Sequence, residues 1–280
     1  MALSSHPMAG GFGAVVDFDL SQHARLRHSA DLAEALQQHR LLIFPDQHLN
    51  HADILAVSEH FGTVDTDVDS QYAVSGFPGI TVISNLVENG VRVGIYDGDN
   101  EEEWHADNSF KPLLSRATVL YSVITPEQGG QTRFSDTTQA YADLPAELKE
   151  RLEGLRAVHS VQRLCALQGQ ANGGHSSAAV GSLATHPEVE HPLVLEHPVT
   201  GARSLLLGSM VISRIDGLDN QNCRSLLADL LGRATSGQYV YTHRWRQGDF
   251  VVWDNFAVLH TASPCDSSRH HRLLYRTSVR

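Results

Sequence analysis

The sequence predicts a mainly β fold with flanking helices, built as a double-stranded β-helix, the jelly-roll relative of the cupins. Short apolar runs rich in β-branched and aromatic residues recur between Gly, Pro, Asn and Asp clusters, while only a few stretches repeat apolar residues at helical spacing. No internal repeat or low-complexity tract divides the chain. Residues 1–280 are therefore expected to form one domain, and a hydrophobic content of 41% suffices for its core.

The helices come first. Ser29 to Leu36 begins with a capping residue and carries Asp31 in its first turn. Leu41-Leu42-Ile43-Phe44 reads as a buried strand. Asn50 caps a second helix, in which Ile54, Leu55, Val57 and Phe61 repeat at helical spacing before Gly62. Pro145 opens a helix carrying Leu148, Leu152 and Leu155, and Asp219 to Leu231 forms another, stopped by Gly232. Leu193-Val194-Leu195 and Ser204 to Leu207 flank Thr200-Gly201 as a hairpin. Tyr239-Val240-Tyr241, Phe250 to Trp253 and Arg272 to Val279 supply further strands. Gln168 to Glu190 lacks periodic apolar residues and is rich in Gly, Ser, Ala and Asn, so a loop is expected at about 165–190.

Composition narrows the function. A formal net charge of -11 opposes binding to nucleic acid, because phosphates are repelled and no basic tract compensates. No apolar stretch approaches 20 residues and no charged n-region precedes an apolar run, so neither a membrane span nor secretion is indicated. Three widely spaced cysteines, Cys165, Cys223 and Cys265, fit reduced thiols in a cytoplasm.

The chemistry turns on a tripeptide that occurs twice, His51-Ala52-Asp53 and His105-Ala106-Asp107. With 17 histidines the pattern alone says little, so local structure has to arbitrate. The first copy opens a helix, where residues two apart point about 200° from each other and cannot easily share an ion. The second follows an acidic loop without helical pattern. In an extended segment His105 and Asp107 face the same way and can grip one metal together. His260, seven residues after Trp253, is the candidate third ligand. Two His and one carboxylate form the facial triad of non-haem Fe(II) oxygenases, although zinc hydrolases use the same ligand types. Downstream, Arg272, Leu274 and Arg276 share one face of a final strand, which brings two cations into one pocket and calls for anions.

At these residues the chain resembles the taurine dioxygenase and 2,4-dichlorophenoxyacetate dioxygenase family of Fe(II)/2-oxoglutarate-dependent enzymes. The matching stretches run from Phe12-Gly13-Ala14-Val15-Val16-Asp17-Phe18-Asp19-Leu20 through Leu41-Leu42-Ile43-Phe44-Pro45-Asp46-Gln47, Trp104-His105-Ala106-Asp107, Gly129-Gly130-Gln131-Thr132, His197-Pro198-Val199-Thr200-Gly201 and Trp253-Asp254-Asn255 to His260. Their order and spacing cover nearly the whole chain. The resemblance implies that His105, Asp107 and His260 hold Fe(II), and that Thr132 and Arg272 hold the distal carboxylate of the co-substrate 2-oxoglutarate. It places Arg276, Asn108 and Tyr72 as contacts of a small primary substrate, anionic or amino-acid-like. The implied reaction consumes O2, releases succinate and CO2, and oxidises the substrate, most simply by hydroxylation; desaturation or cyclisation by the same oxidant is the variant. The acid in the triad disfavours halogenation. Relatives also pair through helices such as Asp219 to Leu231, which makes a homo-oligomer an expectation. The alternatives are a 2-oxoglutarate- or metal-binding sensor without turnover and a metal-dependent hydrolase, for which Arg272 has no use.

Departures are informative too. Asp65-Thr66-Asp67-Val68-Asp69-Ser70-Gln71-Tyr72 is acidic where the taurine enzyme carries a His- and Tyr-bearing substrate loop, so taurine itself is disfavoured. Asp65, Asp67, Asp69 and Asp97 are expected to be solvated, with recognition of a substrate amine the alternative. The 165–190 loop reads equally as a lid that excludes water and as an exposed connection. His175, His186 and His191 are expected at the surface or in turns, His243 as structural, and Trp104 and Trp253 as packing. His270 and His271 are expected to face opposite sides of a strand.

Overall fold

The computed structural model describes residues 3–25, 30–67, 71–95, 103–164, 166 and 186–280. Eight strands form a large sheet in the spatial order Ser4–Pro7, Ala14–Asp17, Leu41–Phe44, Phe250–Asp254, Ala117–Ile124, Leu273–Val279, Phe77–Ser84 and Ala73–Val74. All neighbours are antiparallel except Ala14–Asp17 and Leu41–Phe44. A smaller sheet sets Thr132–Asp136 between Val240–His243 and Val258–Ala262.

The two-residue period of a strand divides the large sheet into an inner and an outer face. Leu41, Ile43, Leu120, Val251, Trp253 and Leu274 turn inward and pack with Phe134 and Val258 of the small sheet. Their immediate neighbours Leu42, Phe44, Val119, Phe250 and Val252 turn outward and bury Leu32, Leu36, Ile54 and Val57 from two helices, Ala30–His39 and His51–Ser58. A helix-covered sheet packed on a second sheet is the jelly-roll arrangement expected. A third apolar cluster joins the helices Thr137–Ala142, Ala146–Leu152 and Asn220–Ala234 to the strands Arg156–His159, Val194–Glu196, Arg203–Leu205 and Ile212–Ile215.

Several elements differ from expectation. The last helix runs through Gly232 to Ala234. Leu230 and Ala234 are fully buried, and that packing outweighs the roughly 1 kcal/mol that glycine costs inside a helix. The helix after Pro145 ends at Leu152, leaving Leu155 outside it beyond Gly154, whose φ of 74° turns the chain. His270 and His271 precede the final strand, which starts at Leu273. His191 is buried in the strand Val189–Pro192, not at the surface. Asp65 is likewise buried, in ion pairs with Lys111 at 3.0 Å and with Arg280, so it is neither solvated nor free for a substrate amine. Asp67 is exposed; Asp69, Asp97, His175 and most of the expected loop, residues 167–185, lie outside the described residues.

Candidate active site

His105 and His260 come together through their backbones. Each donates its N–H to the other's carbonyl, at 3.0 and 2.9 Å, in an isolated antiparallel bridge. Such a pair sends both side chains to one side, and the rings lie 4.3 Å apart between centroids. Asp107, two residues on, shares that side: its Oδ2 is 3.7 Å from His260 Nε2. One ligand atom from each of His105, Asp107 and His260 falls within 4.8 Å of the others, and no other such group occurs among the described residues. His51 and Asp53 do not join it. The His51 ring packs on Phe77 and Tyr275 at the outer face, and Asp53 closes a capping box with Asn50.

Asp107 and His260 stand in the protonation states that a divalent cation needs. Burial, reinforced by the charge of His105, pushes the His260 imidazole down to about 3, so it is neutral at pH 7. Burial pushes the Asp107 carboxyl up, but His260, Arg276, His105 and the Thr118 hydroxyl outweigh it and bring the acid to about 2. With His260 neutral, Arg276 at 3.7 Å and Thr118 at 2.8 Å remain as standing partners of the carboxylate. His105 Nδ1 lies 2.7 Å from the Glu103 carbonyl, which fixes the tautomer and leaves Nε2 free for a metal. Two neutral-capable imidazoles and an ionised carboxylate fit Fe(II).

Thr132 opens the central strand of the small sheet and is buried. Its Oγ1 accepts from Trp245 Nε1 at 3.0 Å, so its single proton is free to be donated to an anion. Arg272 is buried just before the final strand, its backbone fixed by Asn85: the Arg272 N–H donates to Asn85 Oδ1 at 2.8 Å and Asn85 N–H to the Arg272 carbonyl at 3.2 Å. Gly130, at φ 63°, lets the guanidinium stem pass; a Cβ there would meet Arg272 Cδ at 3.1 Å. Arg276 lies on the same inward side as Leu274, its side chain 32% exposed, with Nη1 3.7 Å from Asp107 Oδ1. Asn108 follows Asp107 in a left-handed turn, φ 55°, and donates its amide to Ser115 Oγ at 2.8 Å. Tyr72 is half-buried; its carbonyl accepts from Val82 N–H, one strand removed from the final strand.

Residues for which no role was expected flank these groups. Thr118 donates to Asp107, and Asn255, quoted above only as part of a motif, donates to Thr118 at 2.9 Å. The motif histidine His197 pairs with Asp254 at 2.8 Å, and its Nδ1 accepts from Val199 and Thr200 N–H, which ties two of the matching stretches together away from the metal side chains. His243 pairs with Asp249 at 3.1 Å and is structural.

A family model, taurine catabolism dioxygenase TauD, TfdA family, matches residues 4–278. The chain belongs to this family. It is 31% identical over 289 residues to an alpha-ketoglutarate-dependent 2,4-dichlorophenoxyacetate dioxygenase of Cupriavidus pinatubonensis, covering 100% of this chain and 98% of the relative. With a (S)-phenoxypropionate/alpha-ketoglutarate-dioxygenase of Sphingobium herbicidovorans it shares 32% over 293 residues, 98% of this chain and 93% of the relative. Among solved structures it is similar to AAD-2 in complex with Mn(II) and N-oxalylglycine, at a TM-score of 0.80 and 26% identity over 100% of this chain and 97% of that one. A taurine dioxygenase from Burkholderia xenovorans superposes at 0.79, with 26% identity and coverage of 100% and 89%. This family member is a 2-oxoglutarate-dependent dioxygenase, an oxidoreductase that uses Fe(II), 2-oxoglutarate and O2. No helix among the described residues is long and apolar enough to cross a membrane.

Proposed function

We propose that the protein oxidises, by hydroxylation, a small organic substrate that carries an anionic group, with residues 1–280 acting as one domain in the cytoplasm. The carrying observation is Arg276, a partly exposed guanidinium on the inner face whose ion partner among the described residues is Asp107, at the long distance of 3.7 Å. A fork of five donors that meets no carboxylate at hydrogen-bond distance among the described residues suits a planar carboxylate or a sulfate. The relatives named for phenoxyacetate and phenoxypropionate substrates favour the same class.

In this reading His105, Asp107 and His260 hold the iron. Fe(II) supplies the activation of O2 coupled to decarboxylation of 2-oxoglutarate. Arg272 and Thr132 take the distal carboxylate of the co-substrate: the guanidinium supplies charge-assisted donors, and the Thr132 proton, directed by Trp245, supplies another. Arg276 orients the substrate, Asn108 offers the amide oxygen that Ser115 does not engage, and Tyr72 borders the far side. Val258, Phe134 and Trp253 keep the inner wall dry, which strengthens each of these contacts. Small molecules are the partners; a homo-oligomer and the absence of nucleic-acid binding belong to the same proposal.

The test is succinate release with Fe(II), 2-oxoglutarate and a panel of aryloxyalkanoates, alkyl sulfates, alkanesulfonates, amino acids and neutral isosteres. Anionic members should stimulate release, and Arg276→Met should raise their KM while leaving that of 2-oxoglutarate unchanged. Stimulation confined to neutral or cationic compounds, or an unchanged KM in Arg276→Met, would overturn the assignment.

A further inference from the structure

The Asp107 carboxylate ends a hydrogen-bond chain that starts in the core. Trp253 Nε1 donates to Asn255 Oδ1 at 3.1 Å, Asn255 Nδ2 donates to Thr118 Oγ1 at 2.9 Å, and Thr118 Oγ1 donates to Asp107 Oδ2 at 2.8 Å. All four residues are buried, Trp253 and Thr118 completely. The direction of every bond is forced. An indole N–H can only donate, so the Asn255 oxygen must face Trp253 and its amino group must face Thr118. A hydroxyl has one proton; with an amide N–H on its lone pair, the Thr118 proton is left for Asp107. The backbone holds the chain in register: Trp253 lies opposite Thr118 in the large sheet, and Asn255 N–H donates to the Arg116 carbonyl at 3.0 Å.

We propose that Thr118 and Asn255 are positioning residues that orient the Asp107 carboxylate for the metal. This rests on the reading of Asp107 as a metal ligand. Thr118 pins Oδ2 while Oδ1 faces Arg276, so the carboxylate plane is set before an ion arrives. Asn255 never touches Asp107 and acts through Thr118. Such partners of a metal ligand typically contribute 10–100-fold to metal affinity.

The experiment is anaerobic calorimetric titration of the metal-free protein with Mn(II). Thr118→Val, which keeps the shape and removes the hydroxyl, should bind about 10–100-fold more weakly. Thr118→Ser should restore most of the loss, and Thr118→Ala replaces the valine variant if that does not fold. Asn255→Leu should also weaken binding, yet the double variant should bind no more weakly than Thr118→Val alone, because both act on one bond. A purely structural role predicts additive losses and no rescue by serine. Wild-type affinity in Thr118→Val, or additive losses in the double variant, overturns the proposal. Asp107→Ala separates the two readings: if it keeps wild-type Mn(II) affinity, the metal-ligand assignment itself is wrong.

Discussion

Replacing Trp245 by Phe removes one donor and little else. The indole N–H is 3.0 Å from Thr132 Oγ1, and both side chains are buried. Without that donor the Thr132 hydroxyl is free to rotate, and its proton no longer points by default at the co-substrate. A buried hydrogen bond contributes about 1 kcal/mol net, and an orphaned group costs about 1–3 kcal/mol. A loss of one to two kcal/mol corresponds to roughly 5–30-fold in an equilibrium constant. The KM for 2-oxoglutarate should therefore rise by that factor, with kcat at saturating co-substrate and the KM of the primary substrate nearly unchanged. Initial rates of succinate release across a 2-oxoglutarate series measure it, with Thr132→Val as the comparison. The Trp245→Phe/Thr132→Val double variant should be little worse than Thr132→Val, since both remove the same interaction. A lowered Tm with an unchanged KM for 2-oxoglutarate would refute the reasoning and reduce Trp245 to packing.

Three further outcomes follow from other contacts. Arg272→Ala should cost about 3–5 kcal/mol in 2-oxoglutarate binding, because an anion is left in a dry pocket, and the KM measured by succinate release should rise by roughly 10²-fold or more. Asp254→Ala strips the buried His197 of its 2.8 Å hydrogen-bond partner and should lower the unfolding free energy by about 1–3 kcal/mol in urea denaturation. Burial, with the charge of His191 second, pushes His159 from 6.5 down to about 3, so between those pH values the unfolded chain binds the extra proton and stability is lost as pH falls. His159→Phe should therefore shrink the difference in unfolding free energy between pH 7 and pH 5 by about 2 kcal/mol in the metal-free protein, read from urea curves at both values.

The legible parts of the fold and site are those fixed by short-range rules. Asn50 and Asp219 cap their helices because a side-chain oxygen two or three residues away suffices, and Leu274 and Arg276 share a face because a strand alternates. What escaped the sequence depends on residues far apart in it. Gly232 stays helical only because Leu230 and Ala234 are buried against other elements. Asp65 reads as one acid among several until Lys111 and Arg280 reach it, and His191 reads as a turn residue until Ala157 pairs with it across a sheet. Thr118 carries no local signal at all, and its role appears only when Asn255, 137 positions on, donates to it.

The two His-Ala-Asp copies show what separates a metal site from a chance spacing. At His51 the backbone turns straight into a helix, Asp53 turns back to cap Asn50, and the histidine becomes an aromatic partner of Phe77 and Tyr275. At His105 the segment is extended, so its N–H and C=O remain available, and both are taken by His260. That exchange does two jobs: it satisfies the backbone of a segment outside regular sheet, and it registers a residue 155 positions away against the same tripeptide. The residue types set which atoms can bind a cation. The backbone state decides whether a third donor arrives: the extended copy exchanges both its N–H and its C=O with His260, whereas the helical copy commits its Asp to a cap and its His to a ring contact.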